Sequence, residues 1–278
     1  MDGVRGWMEV TAGLVGRVYV GVVLAFLLAP VGVIFLTSLS SGQTVQFPPP
    51  GLSLRWYARF VDHLRGAPDT KPLLFEAIVT SAGVAAAAAG GALVAGVLAG
   101  YGLARGRWRG RDLVRQAFVL PIVFPQIVIG IGLLVFFSAL RLFSPLQRLV
   151  IGHATICLPY VLLIVAANLE LYDRSLEEAA LGLGAGPLRT FLRVTLPLIR
   201  PGLIAGAVFA FIISFTNFTI SFFLTAAGAK TLPLWMFEVI EFFLDPILAV
   251  TSMFLILLTV AVAVLVDRLL GLRRLIRG

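Results

Sequence analysis

Apolar residues gather in six long runs along the chain, near Val18–Leu39, Leu73–Leu103, Leu113–Leu140, Leu146–Leu169, Leu203–Leu224 and Ile247–Leu270. Crossing about 30 Å of hydrocarbon takes about 20 helical residues, so each run can span a bilayer. A backbone in lipid must satisfy its own hydrogen bonds, and these runs are too long and evenly apolar for the alternating strands of a barrel. Each is predicted to be a helix, and the expected fold class is an all-α membrane protein, a single domain over residues 1–278 with six transmembrane helices. The first run is too long for the core of a cleaved signal and is expected to be retained.

Polar residues inside the runs are few. In the fifth, Ser214, Asn217 and Ser221 recur at i, i+3 and i+7, on one face of a continuous helix, with Thr225 extending it. Asn217 is unfavourable in lipid and must face protein or water. Two readings stand: the face lines a substrate pathway, or it hydrogen-bonds across packed helices. Small residues at Gly96 and Gly100, and at Gly202 and Gly206, permit close helix packing.

Between the fourth and fifth runs, residues 174–200 follow a different pattern. Leu176, Ala179, Ala180 and Leu183 recur at helical spacing, and Ser175 with Glu178 three residues later predicts a capping box that starts a short helix. Gly182, Gly184 and Gly186 should stop that helix, Pro187 prevents its continuation, and a second helix is expected from Leu188 to Pro197. The alanines present a low surface that another protein can approach closely, without the Trp and Lys anchors of an interfacial membrane helix.

Composition agrees with a membrane protein: 59% of residues are hydrophobic, only 13% are charged, and the mean hydropathy is +1.01. A water-soluble surface cannot be built from that inventory. The lone Cys157 lies in an apolar run and excludes an internal disulfide. With both termini cytoplasmic, fifteen of the 22 basic residues fall in inner segments, among them Arg5, Arg17, Arg105, Arg107, Arg174, Arg273, Arg274 and Arg277. Seven fall outside: Arg55, Arg59, Arg65, Lys71, Arg141, Arg148 and Lys230. That bias sets the orientation, and the net charge of +8 is a response to anionic lipid rather than to nucleic acid.

Enzyme chemistry finds little support. No Gly-x-x-x-x-Gly-Lys-Ser/Thr phosphate loop occurs, and Gly228-Ala229-Lys230-Thr231 lacks both the adjacent Gly-Lys pair and the upstream glycine. Gly182-Leu183-Gly184-Ala185-Gly186 lacks the spacing and preceding strand of a dinucleotide fingerprint and reads as a turn. His63 and His153 have no ligand partners at metal spacing; the first is expected in a solvated loop, the second at the outer end of the fourth helix. No intramembrane catalytic group is indicated.

Glu178-Ala179-Ala180, then Gly184, then Leu196-Pro197 resembles the signature of bacterial ABC-importer permeases, with Val194 where that pattern has Ile. Phe47-Pro48-Pro49-Pro50 with Gly51-Leu52-Ser53-Leu54-Arg55-Trp56-Tyr57, Leu120-Pro121 with Pro125, Ser214-Phe215, Ile220-Ser221-Phe222-Phe223 and Thr231-Leu232-Pro233 resemble the spermidine/putrescine-type branch. The resemblance implies the type I importer permease fold. It makes residues 174–200 a cytoplasmic coupling segment docked on a separate ATPase, through Glu178, Ala179, Ala180, Gly184, Leu196 and Pro197. It also implies two ATPase copies that hold the ATP and Mg, a second homologous permease or second copy, and an extracytoplasmic binding protein. The branch pattern has acidic residues after the Ser-Phe pair, where this chain has Thr216 and Asn217. No run has a carboxylate near its middle, so a polyamine, another small amine, an amino acid, a phosphonate or an iron complex all remain open as cargo. The rival classes are an ion-coupled secondary transporter, which needs buried acids and repeated halves, and a structural membrane subunit, which leaves the coupling spacing unexplained.

Overall fold

The computed structural model describes residues 2–66, 74–106, 108–141, 143–225, 229–242 and 245–270, and among them regular structure is helical. Leu73, Lys71, Arg107, Gly228, Arg273, Arg274 and Arg277, named above, lie outside these residues. The helices in chain order are α1 (Asp2–Ser38), α2 (Arg55–Leu64), α3 (Leu74–Arg105), α4 (Arg111–Val123), α5 (Gln126–Leu140), α6 (Pro145–Glu170) and α7 (Ser175–Gly182). There follow α8 (Pro187–Thr190), a π-helical turn (Phe191–Thr195), α9 (Leu196–Leu198), α10 (Arg200–Phe215), α11 (Phe218–Leu224), α12 (Leu232–Phe242) and α13 (Ile247–Leu270).

Leu14–Ser38 of α1, α3, α6 and Ile247–Val266 of α13 are each long and apolar enough to cross a membrane unbroken. The third run is not one helix, as expected from its composition, but α4 and α5 bent by 107°. Pro125 is the cause: it forces Phe124 into an extended conformation (φ −77°, ψ 141°) and brings no N–H of its own to the ladder. The fifth run is likewise divided, into α10 and α11, at Thr216 and Asn217. No proline interrupts it; the Asn217 side chain accepts from Ile220 N at 2.8 Å and starts a new helix in place of the old.

The chain forms two compact units, Met1–Ala67 with Glu238–Leu257, and Pro68–Phe237 with Leu258–Gly278. In the second, α3 lies along α6 with α10 against both, around Val84, Ala92, Ile156, Cys157, Val161, Val165 and Ala210. Small residues set the approach: a Cβ at Gly96 would stand 2.7 Å from Val161 Cγ1, and one at Gly100 3.0 Å from Val165 Cγ1. Gly202 is filled in the same way by Asn168. Ser144 opens α6 with a capping box, accepting from Gln147 N at 3.4 Å and donating to Gln147 Oε1 at 2.9 Å, with Pro145 in the first turn.

In the first unit, the chain leaving α1 folds back on itself through Ser41 N to Gly51 O (2.9 Å) and Ser53 N to Leu39 O (2.7 Å). α2 then buries Trp56, Phe60 and His63 at i, i+4 and i+7. His63 is therefore not a solvated loop residue; it sits on that buried face with Nδ1 2.8 Å from Arg59 O.

Candidate functional site

The segment between α6 and α10 is built from three local devices. Ser175 begins α7, but as its first helical residue rather than as the expected capping-box residue. The N-cap position is Arg174, without a side-chain cap; Asp173 just before it accepts from Ser175 N through Oδ1 at 2.9 Å, and hydrogen bonding to Ser175 holds the Asp173 carboxyl below its usual range. α7 ends in a Schellman motif: Ala185 N donates to Ala180 O and Gly184 N to Leu181 O, both at 3.0 Å, with Gly184 at φ +87°. An L-residue other than Gly rarely adopts that conformation, which is a physical reason for Gly at this place. Gly186 and Pro187 then open α8, and the helical path continues through the π turn to Leu198.

Glu178 and Ala179 are exposed, Ala180 is half-buried, Gly184 is exposed, Leu196 is half-buried and Pro197 is exposed. Glu178 pairs only loosely, at 3.3 Å, with Arg174 one turn before it. Leucines 176, 181, 183, 188 and 192 are all exposed, and Gly186, Pro187, Leu188, Arg189, Leu192 and Arg193 line a shallow groove of about 590 Å³. An apolar surface of this kind, rimmed by arginine, suits a protein partner.

The residue that anchors the segment is Glu177, which sequence reasoning passed over for its neighbour. Its carboxylate takes two hydrogen bonds from the Arg105 guanidinium at the end of α3 (Nε to Oε2 2.9 Å, Nη2 to Oε1 3.2 Å) and one from Thr195 Oγ1 (3.0 Å). Arg105 Nη2 also donates to Leu169 O in α6 at 3.3 Å. Tyr172 donates to Leu198 O, and the Tyr101 and Phe191 rings meet edge to face at 4.8 Å. Glu178 is exposed with only Arg174 against it, while Glu177, through Arg105 and Thr195, ties α7 to α3, α6 and the π turn. No pattern pairs residues 72 apart; the available signal was that a second carboxylate on so short a helix needs a cation.

The proposed pathway residues do come together, although the helix that was to align them is broken. Ser214, Asn217 and Ser221 are buried, at 3%, 8% and 0% exposure. Ser214 and Ser221 converge on His153 in α6, which is not at the outer end of its helix but buried within it: Nδ1 lies 2.8 Å from Ser214 Oγ and Nε2 3.1 Å from Ser221 Oγ. Ser221 donates to Asn217 O at 2.9 Å, so its oxygen accepts from Nε2–H, and Nδ1 of the neutral ring then accepts from Ser214. Asn217 Nδ2 completes the cluster by donating to Gln126 Oε1 at the start of α5, 2.9 Å away. Both breaks are therefore joined by one set of hydrogen bonds. Cys157 is buried beside it, with Sγ 3.3 Å from Ala210 O.

Residues 92–273 match the family described as "Binding-protein-dependent transport system inner membrane component". The putrescine transport system permease protein PotI of Escherichia coli (strain K12) is 33% identical over 228 residues, 80% of this chain and 78% of PotI. The spermidine/putrescine transport system permease protein PotC of Haemophilus influenzae is 29% identical over 244 residues, 88% of this chain and 91% of PotC. A solved bacterial ABC transporter involved in the import of the acidic polysaccharide alginate superposes with a TM-score of 0.71 at 14% identity, over 96% of this chain and 98% of that one. The chain belongs to the binding-protein-dependent transport system inner membrane component family, as a multi-pass permease subunit of an ABC importer, a reading the comparisons favour over an ion-coupled transporter or a structural subunit.

Proposed function

We propose that this permease forms one wall of a cargo pathway and is driven by ATPase subunits docked on residues 174–200, with a second permease or second copy forming the other wall. The observation that carries the reading is α7 itself: an exposed Glu178-Ala179-Ala180 surface, ended by a left-handed Gly184 and fixed from behind by Glu177 and Arg105. Two ATPases supply ATP and Mg chemistry, a binding protein delivers cargo from outside, and both termini lie in the cytoplasm. Alternate opening of the cavity needs only that ATP binding and hydrolysis favour different states of the pair. The cargo we favour is a small amine of the polyamine type, supported by the PotI and PotC names at 33% and 29% identity. With Thr216 and Asn217 in the fifth run, no run has a carboxylate near its middle to hold a cation, which supports selection by the binding protein.

The test replaces Gly184. A Cβ there meets nothing within 4 Å, so the obstacle is the φ of +87° alone. Gly184→Asn, which tolerates that region, should keep most function, whereas Gly184→Val should lose ATPase co-purification and uptake of labelled putrescine about tenfold, from about 1–2 kcal/mol of local strain. Full assembly and cargo-stimulated ATP hydrolysis in Gly184→Val would reject the coupling role.

A further inference from the structure

The first unit carries a polar pocket made of none of the residues assigned above to coupling or to the pathway. Gln43, Arg55, Trp56, Arg59 and Asp245 line a cavity of about 420 Å³ beside the start of α2. Trp56 is its platform: the indole is 4% exposed, and its Nε1 donates to Gly42 O at 3.1 Å, so the ring is held by the loop that precedes it. Two guanidiniums lie against that ring, with Cζ of Arg55 4.7 Å and Cζ of Arg59 5.5 Å from its centroid. Arg55 is also fixed by a hydrogen bond to Gly42 O. The Arg59 guanidinium has no hydrogen-bond partner among the described residues beyond its contact with Trp56. Stacking on an aromatic face orients a guanidinium fork without consuming its N–H groups. Asp245, on the same pocket, has one oxygen engaged as the acceptor from Ile247 N at 3.0 Å.

We propose that this pocket receives a carboxylate side chain of the extracytoplasmic binding protein and so sets the docking of that protein on the permease. The assignment rests on the orientation proposed above, which puts residues 39–73 and 225–246 outside. Two guanidiniums and the Gln43 amide face a single carboxylate, and the free fork of Arg59 matches a carboxylate in bidentate geometry. The volume is far more than one ion occupies and accommodates an acidic side chain together with the turn that bears it. A cationic cargo would be repelled by the same pair of arginines, which separates this pocket from the cargo route. Asp245 opposes an incoming carboxylate and tempers the affinity, as a dock that must release its partner in each cycle requires.

The experiment uses the assembled transporter in proteoliposomes, titrated with the binding protein that stimulates its ATP hydrolysis. Arg59→Glu should raise the half-stimulating concentration about tenfold or more and flatten its dependence on salt, with basal hydrolysis and the saturated rate unchanged. Asp245→Asn, which keeps the acceptor oxygen for Ile247 N, should shift that concentration the other way by about threefold. A merely structural role would push both variants in the same direction. An unchanged half-stimulating concentration in Arg59→Glu, or parallel shifts in both variants, overturns the proposal. If a cysteine at Ser53 labels from outside while Arg59→Glu changes nothing, the dock fails and the transporter reading stands; if that cysteine is shielded, the orientation has failed.

Discussion

At the residue scale, adjacent glutamates have opposite tasks. Glu178 is exposed, with only Arg174 against it, and its identity was legible because the signature spacing runs through it; Glu177 was not, because its partners Arg105 and Thr195, and the Leu169 carbonyl that Arg105 also reaches, are brought together only by folding. The Arg105 and Glu177 side chains are 16% and 11% exposed, so removing one charge leaves the other poorly solvated. Glu177→Gln or Arg105→Gln alone should each destabilise by about 3 kcal/mol, and the double variant by much less than the sum. Thermal unfolding of the purified complex measures this; additive losses would show that the pair is not coupled. The single variants should also lower uptake per ATP hydrolysed, since α7 then moves without α3.

At the element scale, four of the apolar runs coincide within a few residues with Leu14–Ser38 of α1 and with α3, α6 and α13, the helices long and apolar enough to cross a membrane, but run length missed the breaks inside the third and fifth runs. Run length records only that side chains suit lipid, and Pro125 inside an apolar run was passed over because a proline is tolerated in such helices when neighbours satisfy the freed groups. Asn217 was singled out for its polarity, but its use as a helix cap depends on Ile220 N and Gln126 standing beside it. Likewise the Ser175 pattern predicted a capping box that Asp173 pre-empts, while the box that does form is at Ser144. Asn217→Leu removes the cap of α11 and the bond to α5 together, leaving buried groups unsatisfied at about 1–3 kcal/mol. The expected result is a loss of detergent-resistant assembly. If uptake falls while assembly and basal ATP hydrolysis are preserved, the Ser214–Asn217–Ser221 face serves the pathway rather than the packing.

At the scale of the whole molecule, the orientation we propose rests on fifteen basic residues in the segments assigned inside against seven in those assigned outside. With Cys157 replaced, a cysteine at Glu178 should be shielded from an impermeant thiol reagent in intact cells, and one at Ser53 or Lys230 should react; labelling at 178 from outside reverses the topology. The helical membrane fold class and the permease family were legible in the chain alone, because apolar run length and a spaced signature are local in sequence. The tertiary structure decided which residues act together: His153 with Ser214 and Ser221, Arg105 with Glu177, and two arginines on Trp56 beside Asp245. Apart from the Arg–Trp neighbours on α2, these partners are tens of residues apart. A buried polar or charged group declares that it needs a partner but not which one, and only packing makes that choice.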